Sequence, residues 1–371
     1  MKKPLAALLC MTLLISFLAG CVGNGNDSDS QPDDVGDNSN SDPGGSTSEP
    51  EISPNAITCP DGTTGTLEWR VVTCAEPKIF KTSDVSNETF NLTIEWYSIG
   101  AAEWGNYGPV EIYIIGEDVD AAKELEDFYC ERHKDLDSNW NEEWDCANEN
   151  YQIFTHYVDD GGAAISTFKR SYLEYDFMMM TMSAKYPSPE EDDYKPVTLH
   201  EYFHIFQHSH ISDECSENSR DTCERDSKMG GKDKPWFAEG GAEFMAQSLY
   251  STQDGVRDNY LRDVMKHKLE ISQDDYNSQN VSLDQLEYSS QVNAYDVGAW
   301  FIAYLVHNEG VEVFLDGFYE ELDELGFDAA FEKNFNKTKN EYLSEFDTFF
   351  QQHAEDVLMI IPEHSNNSEE G

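Results

Sequence analysis

The chain has 371 residues and a formal net charge of −49, from 24 Lys and Arg set against 73 Asp and Glu. A surface so acidic excludes a nucleic-acid partner, because the phosphate backbone demands a basic face. It equally excludes docking on anionic lipid headgroups by charge. The hydrophobic share of 39% is enough for a substantial core in the part that follows a polar N-terminal stretch.

Residues 1–20 read as a secretion signal. Lys2 and Lys3 precede a largely apolar run from Leu5 to Leu18, too short for a spanning anchor and too soon followed by polar sequence. The run ends in Leu18-Ala19-Gly20-Cys21, which resembles the bacterial lipobox. That resemblance implies cleavage before Cys21, lipidation of its thiol and new amino group, and attachment to a membrane through the lipid. Val22 stands where some lipoproteins carry aspartate, a pattern similar to that of lipoproteins sent on to the outer membrane. The expected location is therefore that of an exported bacterial lipoprotein, on the periplasmic or cell-surface face of the outer membrane. Ordinary cleavage beside a stray cysteine is the alternative. Residues 21–56, rich in Asp, Ser, Asn, Gly and Pro, cannot offset ordering entropy by burial and predict a disordered acidic tether.

Six cysteines remain beyond Cys10 and Cys21, and in an exported protein an even count favours disulfides. Sequential neighbours are Cys59 with Cys74, Cys130 with Cys146, and Cys215 with Cys223. Six cysteines allow about 15 connectivities, so this nearest-neighbour set is one choice among them. No pair has the CxxC spacing of a cysteine metal site.

Leu92–Trp96 and Val110–Ile115 alternate or run apolar with β-branched residues, and predict strands. Ala121–His133 carries Leu125, Phe128 and Tyr129 at helical spacing. Asp135, Asp137 and Asn139 hint at a calcium loop, but Trp140 stands where glycine is needed and Cys146 where the bidentate glutamate belongs. Gly161-Gly162 marks a turn. Tyr172–Tyr186, centred on Phe177-Met178-Met179-Met180, predicts a strand buried on both faces, its methionines core rather than ligands. Trp236 to about His307 is mainly helical, and Phe327–Phe350 predicts a helical cap.

Between these lies the chemistry. Leu199-His200-Glu201-Tyr202-Phe203-His204 follows Pro196, and 35 residues after His204 comes Glu239 in Pro235-Trp236-Phe237-Ala238-Glu239-Gly240-Gly241-Ala242-Glu243. Helical residues four apart share a face, so His200 and His204 can turn two imidazoles to one metal ion. Glu201 sits beside the first ligand, placed to take a proton from a water activated by that metal. A catalytic zinc takes three protein ligands and keeps one position for water. Two residues compete for the third place. One is Glu239. The other is His210, at the spacing of the HExxHxxGxxH pattern; there, however, the middle glycine turns the chain back, and this chain has Gln207.

The pairing of HEYFH with WFAEGGAEF resembles the gluzincin zinc metallopeptidases, and its WxxEGxAE form is similar to that of bacterial collagenases and the aminopeptidase N family. The resemblance covers about 150 residues, from the HExxH helix to the Phe331–Phe350 region, and none of the N-terminal third. It implies an α+β, zincin-like two-lobed unit, a mixed-sheet lobe followed by a helical lobe with one zinc between. It further implies His200, His204 and Glu239 as ligands, Glu201 as general base, and Glu243 orienting a ligand imidazole. Ala294-Tyr295-Asp296-Val297-Gly298-Ala299 resembles the aminopeptidase segment whose tyrosine stabilises the oxyanion, although Val297 replaces the lysine common there. Tyr295 would then be a catalytic donor. The long accessory regions of collagenases and a GxMEN segment are both missing.

The expected organisation is a signal at 1–20, a tether at 21–56, a cysteine-bearing segment at 57–88, a peptidase domain at 89–362 and a polar tail at 363–371. The expected substrate is a peptide or protein, which would pair with an exposed edge strand supplied by Val110–Ile115 or Tyr172–Tyr186. Rival readings are a zinc hydrolase for a non-peptide substrate, and a surface-binding lipoprotein on a decayed peptidase scaffold.

Overall fold

A computed structural model of the protein describes residues 56–363, apart from 69, 139, 149–150, 168–176, 213–223 and 280. The predicted signal, Cys21 and the Cys215–Cys223 pair lie outside the described residues. The architecture is mixed α+β. Two of the expected cysteine pairs are bonded. Cys59–Cys74 braces the small hairpin of β1 (Ala56–Thr58) and β2 (Thr64–Thr66), and Cys130–Cys146 ties α2 (Val119–Leu136) to the end of α3 (Glu142–Asp145).

The main sheet runs in the order β3-β4-β6-β5, from β3 (Lys78–Lys81), β4 (Val110–Ile115), β5 (Ala163–Thr167) and β6 (Met178–Ser183). The first three in that order are parallel, and β5 lies antiparallel to β6 at the edge. β4 and β6 are buried at every position, as mainly apolar segments predict for interior strands, and the polar Glu111, Thr181 and Ser183 are buried with them. Ile112, Ile114, Met178, Met180 and Met182 face the main core, while Tyr113, Ile115 and Met179 pack with Leu125, Tyr129 and Phe154 on the other side. The methionines are core. Glu111 is fully buried in β4, where Arg132 Nη2 at 2.6 Å and the Tyr113 hydroxyl at 2.8 Å offset its lost hydration. Burial raises its carboxyl, but hydrogen bonds from His133 and Arg132 prevail and hold it down at about 2.

Two expectations are corrected. Leu92–Trp96 is helical, inside α1 (Asn87–Trp104). Ser86 caps that helix by accepting from Thr89 N at 3.0 Å, and the buried Thr89, Thr93, Trp96, Tyr97, Gly100 and Trp104 recur at helical spacing. A five-residue window is too short to show that period. Nor is Val110–Ile115 an edge, since β4 lies between β3 and β6, and β6 between β4 and β5. The edges are β3 and β5. The sheet also takes its first strand from the 57–88 segment.

The short α4 (Thr155–Asp160) precedes β5, and α5 (Tyr194–Ser209) follows β6. Pro196 sits in the first turn of α5, where its missing N–H costs no helical bond. α5 packs on α1, β5 and β6 and also on α7 (Pro235–Ser251), which follows α6 (Glu224–Lys228). Gly100 lets α1 approach α5 closely: a Cβ there would lie 2.6 Å from Tyr202 Cγ. α8 (Tyr260–Ser278), α9 (Ala294–Glu309), α10 (Glu320–Leu325), α11 (Phe327–Phe335), α12 (Lys339–Phe350) and α13 (Ala354–Val357) complete the helical part. Phe331, Phe335, Tyr342, Phe346 and Phe350 enter the main core as the predicted cap requires.

Candidate metal centre

α5 carries His200 and His204 one turn apart, and α7 carries Glu239 in its second turn. The two Nε2 atoms are 3.1 Å apart, and Glu239 Oε2 lies 3.2 Å from that of His200 and 3.1 Å from that of His204. Three ligand atoms, two nitrogens and one carboxylate oxygen, thus converge within 4.8 Å of one another. They are a set that could hold a metal ion, and among the described residues no other group of His, Cys, Asp and Glu does so. Glu201 is buried beside them, and its Oε2 has no hydrogen-bond partner among the described residues. A buried carboxylate oxygen left unpaired is costly unless something else meets it. That oxygen and the convergent donors both fit a bound cation with its water.

Two glycines bring the helices of the site together. A Cβ on Gly240 would lie 2.4 Å from the Gly298 carbonyl carbon, and one on Gly298 would lie 2.2 Å from Trp236 O. Any side chain at either position would push α9 off α7. The contact sets the first turn of α9 beside Glu239, where Asn293 caps it by accepting from Tyr295 N at 3.0 Å. The Tyr295 ring stacks near that of His200, with centroids 6.4 Å apart. Its hydroxyl makes no hydrogen bond among the described residues. Burial, then the Glu239 carboxylate, pushes that phenol well above its ordinary value, so it stays a donor.

Each metal-facing group is held from behind. Glu243 Oε2 accepts from His200 Nδ1 at 3.2 Å, and Lys268 Nζ bridges Glu243 Oε1 at 2.8 Å and Asp296 Oδ1 at 2.9 Å. Gln207 Oε1 lies 2.7 Å from His204 Nδ1. The Tyr288 hydroxyl donates to Glu239 Oε1 at 3.0 Å, so that oxygen is engaged while Oε2 faces the imidazoles.

The field at the centre is strongly negative. Burial lowers His200, but Glu239 and Glu243 outweigh it and lift the imidazole to about 10. His204 is likewise raised, against burial, chiefly by the charge of Glu239. Burial raises Glu239 and Glu243, yet His204 and His200 for the first, and Lys268 and His200 for the second, hold both well below the usual carboxylate range. For Glu201 burial prevails over the two imidazoles and its carboxyl is raised. Lys268 stays charged, because Glu243 and Asp296 more than offset its burial. A field that retains protons on imidazole so firmly also attracts a cation.

His210 takes no part. At the end of α5 its Nδ1 lies 2.8 Å from Phe206 O and its ring packs against Phe206, Tyr319 and Tyr107. The helix runs on through Gln207 to Ser209, so no turn at Gln207 swings His210 back toward the site. His208 borders the centre, its ring centroid 6.5 Å from that of His204, and burial together with Arg225 keeps it neutral. Sequence reasoning overlooked the supporting roles of Gln207, Lys268, Asp296 and Tyr288. For Gln207 a signal existed, since it follows His204 by three residues and so shares its helix face. Lys268 arrives on α8 and Tyr288 from the loop before α9, neither with a spacing relation to the motif. No protein-family model matches the chain, and no curated protein is found to match it.

Proposed function

We propose that the chain is a zinc-dependent metallopeptidase of the gluzincin kind, with a two-lobed zincin-like peptidase unit exported as a lipid-anchored protein. The observation that carries the reading is the convergence of His200, His204 and Glu239 beside a buried Glu201 whose Oε2 is unpaired. Structural zinc closes its shell, usually with cysteine; two imidazoles, one carboxylate and an adjacent free carboxylate suit a catalytic ion instead. Zinc, when bound, supplies a Lewis acid that polarises the scissile carbonyl and acidifies a water.

The chain's own groups do the rest. Glu201 takes a proton from the attacking water and returns it to the leaving amine. The Tyr295 phenol donates to the carbonyl oxygen as negative charge grows on it. Glu243 and Gln207 hold the two imidazoles by their Nδ1 atoms, and Tyr288 engages the second oxygen of Glu239. A peptide has a place to pair, since β5 is one of the two edges of the sheet and packs on α5. Attachment to a membrane through Cys21 rests on the sequence of residues 1–21 alone. Glu201→Gln keeps zinc and loses turnover; peptide cleavage by that variant would remove Glu201 from the role of base.

A further inference from the structure

Gln207 stands one turn beyond His204 on α5 and is fully buried. Its amide is tied at both ends. Nε2 donates to Ala238 O at 3.0 Å and to the Tyr319 hydroxyl at 3.0 Å, and Oε1 lies 2.7 Å from His204 Nδ1. A backbone carbonyl only accepts, so the NH2 group must face Ala238 and the amide oxygen must face His204. An amide oxygen also only accepts, so Nδ1 of His204 must carry a proton. With Nδ1 engaged by the amide, Nε2 is the nitrogen left to meet a metal ion, and it lies 3.1 Å from Glu239 Oε2. The reverse orientation would set oxygen against oxygen at Ala238.

Ala238 directly precedes Glu239. One amide therefore ties the second histidine of α5 to the backbone beside the carboxylate ligand on α7. We propose that Gln207 is a positioning residue for the metal centre, fixing the tautomer and ring direction of His204 and its register against Glu239. This inference rests on the metal reading given above. Tyr319, which shares the amide, is the last residue of a π-helical turn over Val313–Tyr319. Such turns are rare and occur frequently at functional sites.

The test compares wild type, Gln207→Met and Tyr319→Phe, each loaded with zinc and, separately, with cobalt(II). Gln207→Met keeps the volume and removes both ends of the tie. Tyr319→Phe leaves the Ala238 and His204 contacts in place. Zinc Kd, read by competition with a chromogenic chelator, should weaken on the order of 10- to 100-fold in Gln207→Met and stay within about threefold in Tyr319→Phe. The cobalt form of wild type should show two exchangeable, paramagnetically shifted Nδ1–H signals, and Gln207→Met should lose one to exchange with water.

Gln207→Met that binds zinc like wild type with both signals intact overturns the assignment and leaves the peptidase reading standing. So does Tyr319→Phe weakening zinc as much as Gln207→Met, since general core packing would then govern the site. If Gln207→Met fails to fold, wild-type cobalt protein with fewer than two such signals still overturns it. Wild type that binds zinc but cleaves no peptide removes the peptidase reading alone. Wild type that binds neither metal removes both.

Discussion

The choice between Glu239 and His210 as third ligand gives the sharpest contrast between two variants. Glu239 Oε2 stands 3.2 and 3.1 Å from the two Nε2 atoms, whereas His210 turns its ring into Phe206, Tyr107 and Tyr319. Structural zinc sites with four ligands are worth about 10–16 kcal/mol, so one ligand contributes about 3 kcal/mol, on the order of 100-fold in Kd. Glu239→Ala should weaken zinc by at least that factor. His210→Ala should instead cost fold stability, about 2 kcal/mol from lost ring packing, and leave zinc Kd within about threefold. Chelator competition on protein shown to be folded by circular dichroism reads the first quantity, and thermal melting reads the second. The reverse pattern, with zinc lost in His210→Ala and kept in Glu239→Ala, would refute the ligand set and the helix geometry from which it follows.

Lys268→Met strands two carboxylates, the buried Asp296 and the half-buried Glu243, and breaking such a pair costs up to about 3–5 kcal/mol. The melting temperature should fall by about 10 °C, and an unchanged melt would mean the bridge is idle. Tyr295→Phe should lower kcat on the order of 10²- to 10³-fold while zinc Kd holds steady; a loss confined to KM would make Tyr295 a substrate contact instead. Glu111 sits at about 2 against an ordinary 4.5. A depressed carboxyl stabilises the fold above its unfolded value, and that contribution fades as pH falls from 4.5 toward 2. The shift is worth about 3 kcal/mol at neutral pH. Glu111→Gln should lose that stability in urea unfolding at pH 7 and flatten the acid limb; equal slopes in the two proteins between pH 5 and 2 would contradict it.

The meeting of His200, His204 and Glu239 was legible because helical spacing decides which side chains share a face, and a second motif supplied the carboxylate. Glu243 was named through the gluzincin resemblance, and it lies one turn past Glu239 on α7 with Oε2 at His200 Nδ1. Interior strands were readable where the sequence is mainly apolar, as in β4 and β6, despite the polar Glu111, Thr181 and Ser183 within them. Leu92–Trp96 misled because β-branched content in five residues outweighs a period that needs the whole of α1 to emerge. The edge strand could not be read, since strand order depends on how β5 returns beside β6 and not on the composition of either. Lys268 and Tyr288 stayed hidden because tertiary packing, and no local pattern, carries them to Glu243 and Glu239. Gly240 and Gly298 explain a further part: their small size in sequence is unremarked until the α7–α9 contact shows what a side chain would strike.

The central claim is tested most directly by measuring zinc content together with cleavage of a mixed peptide library, for wild type and Glu201→Gln, each lacking residues 1–21. The account predicts close to one zinc per chain in both proteins and cleavage by wild type alone. Wild type without zinc, or with zinc but without cleavage of any peptide in the library, would contradict it.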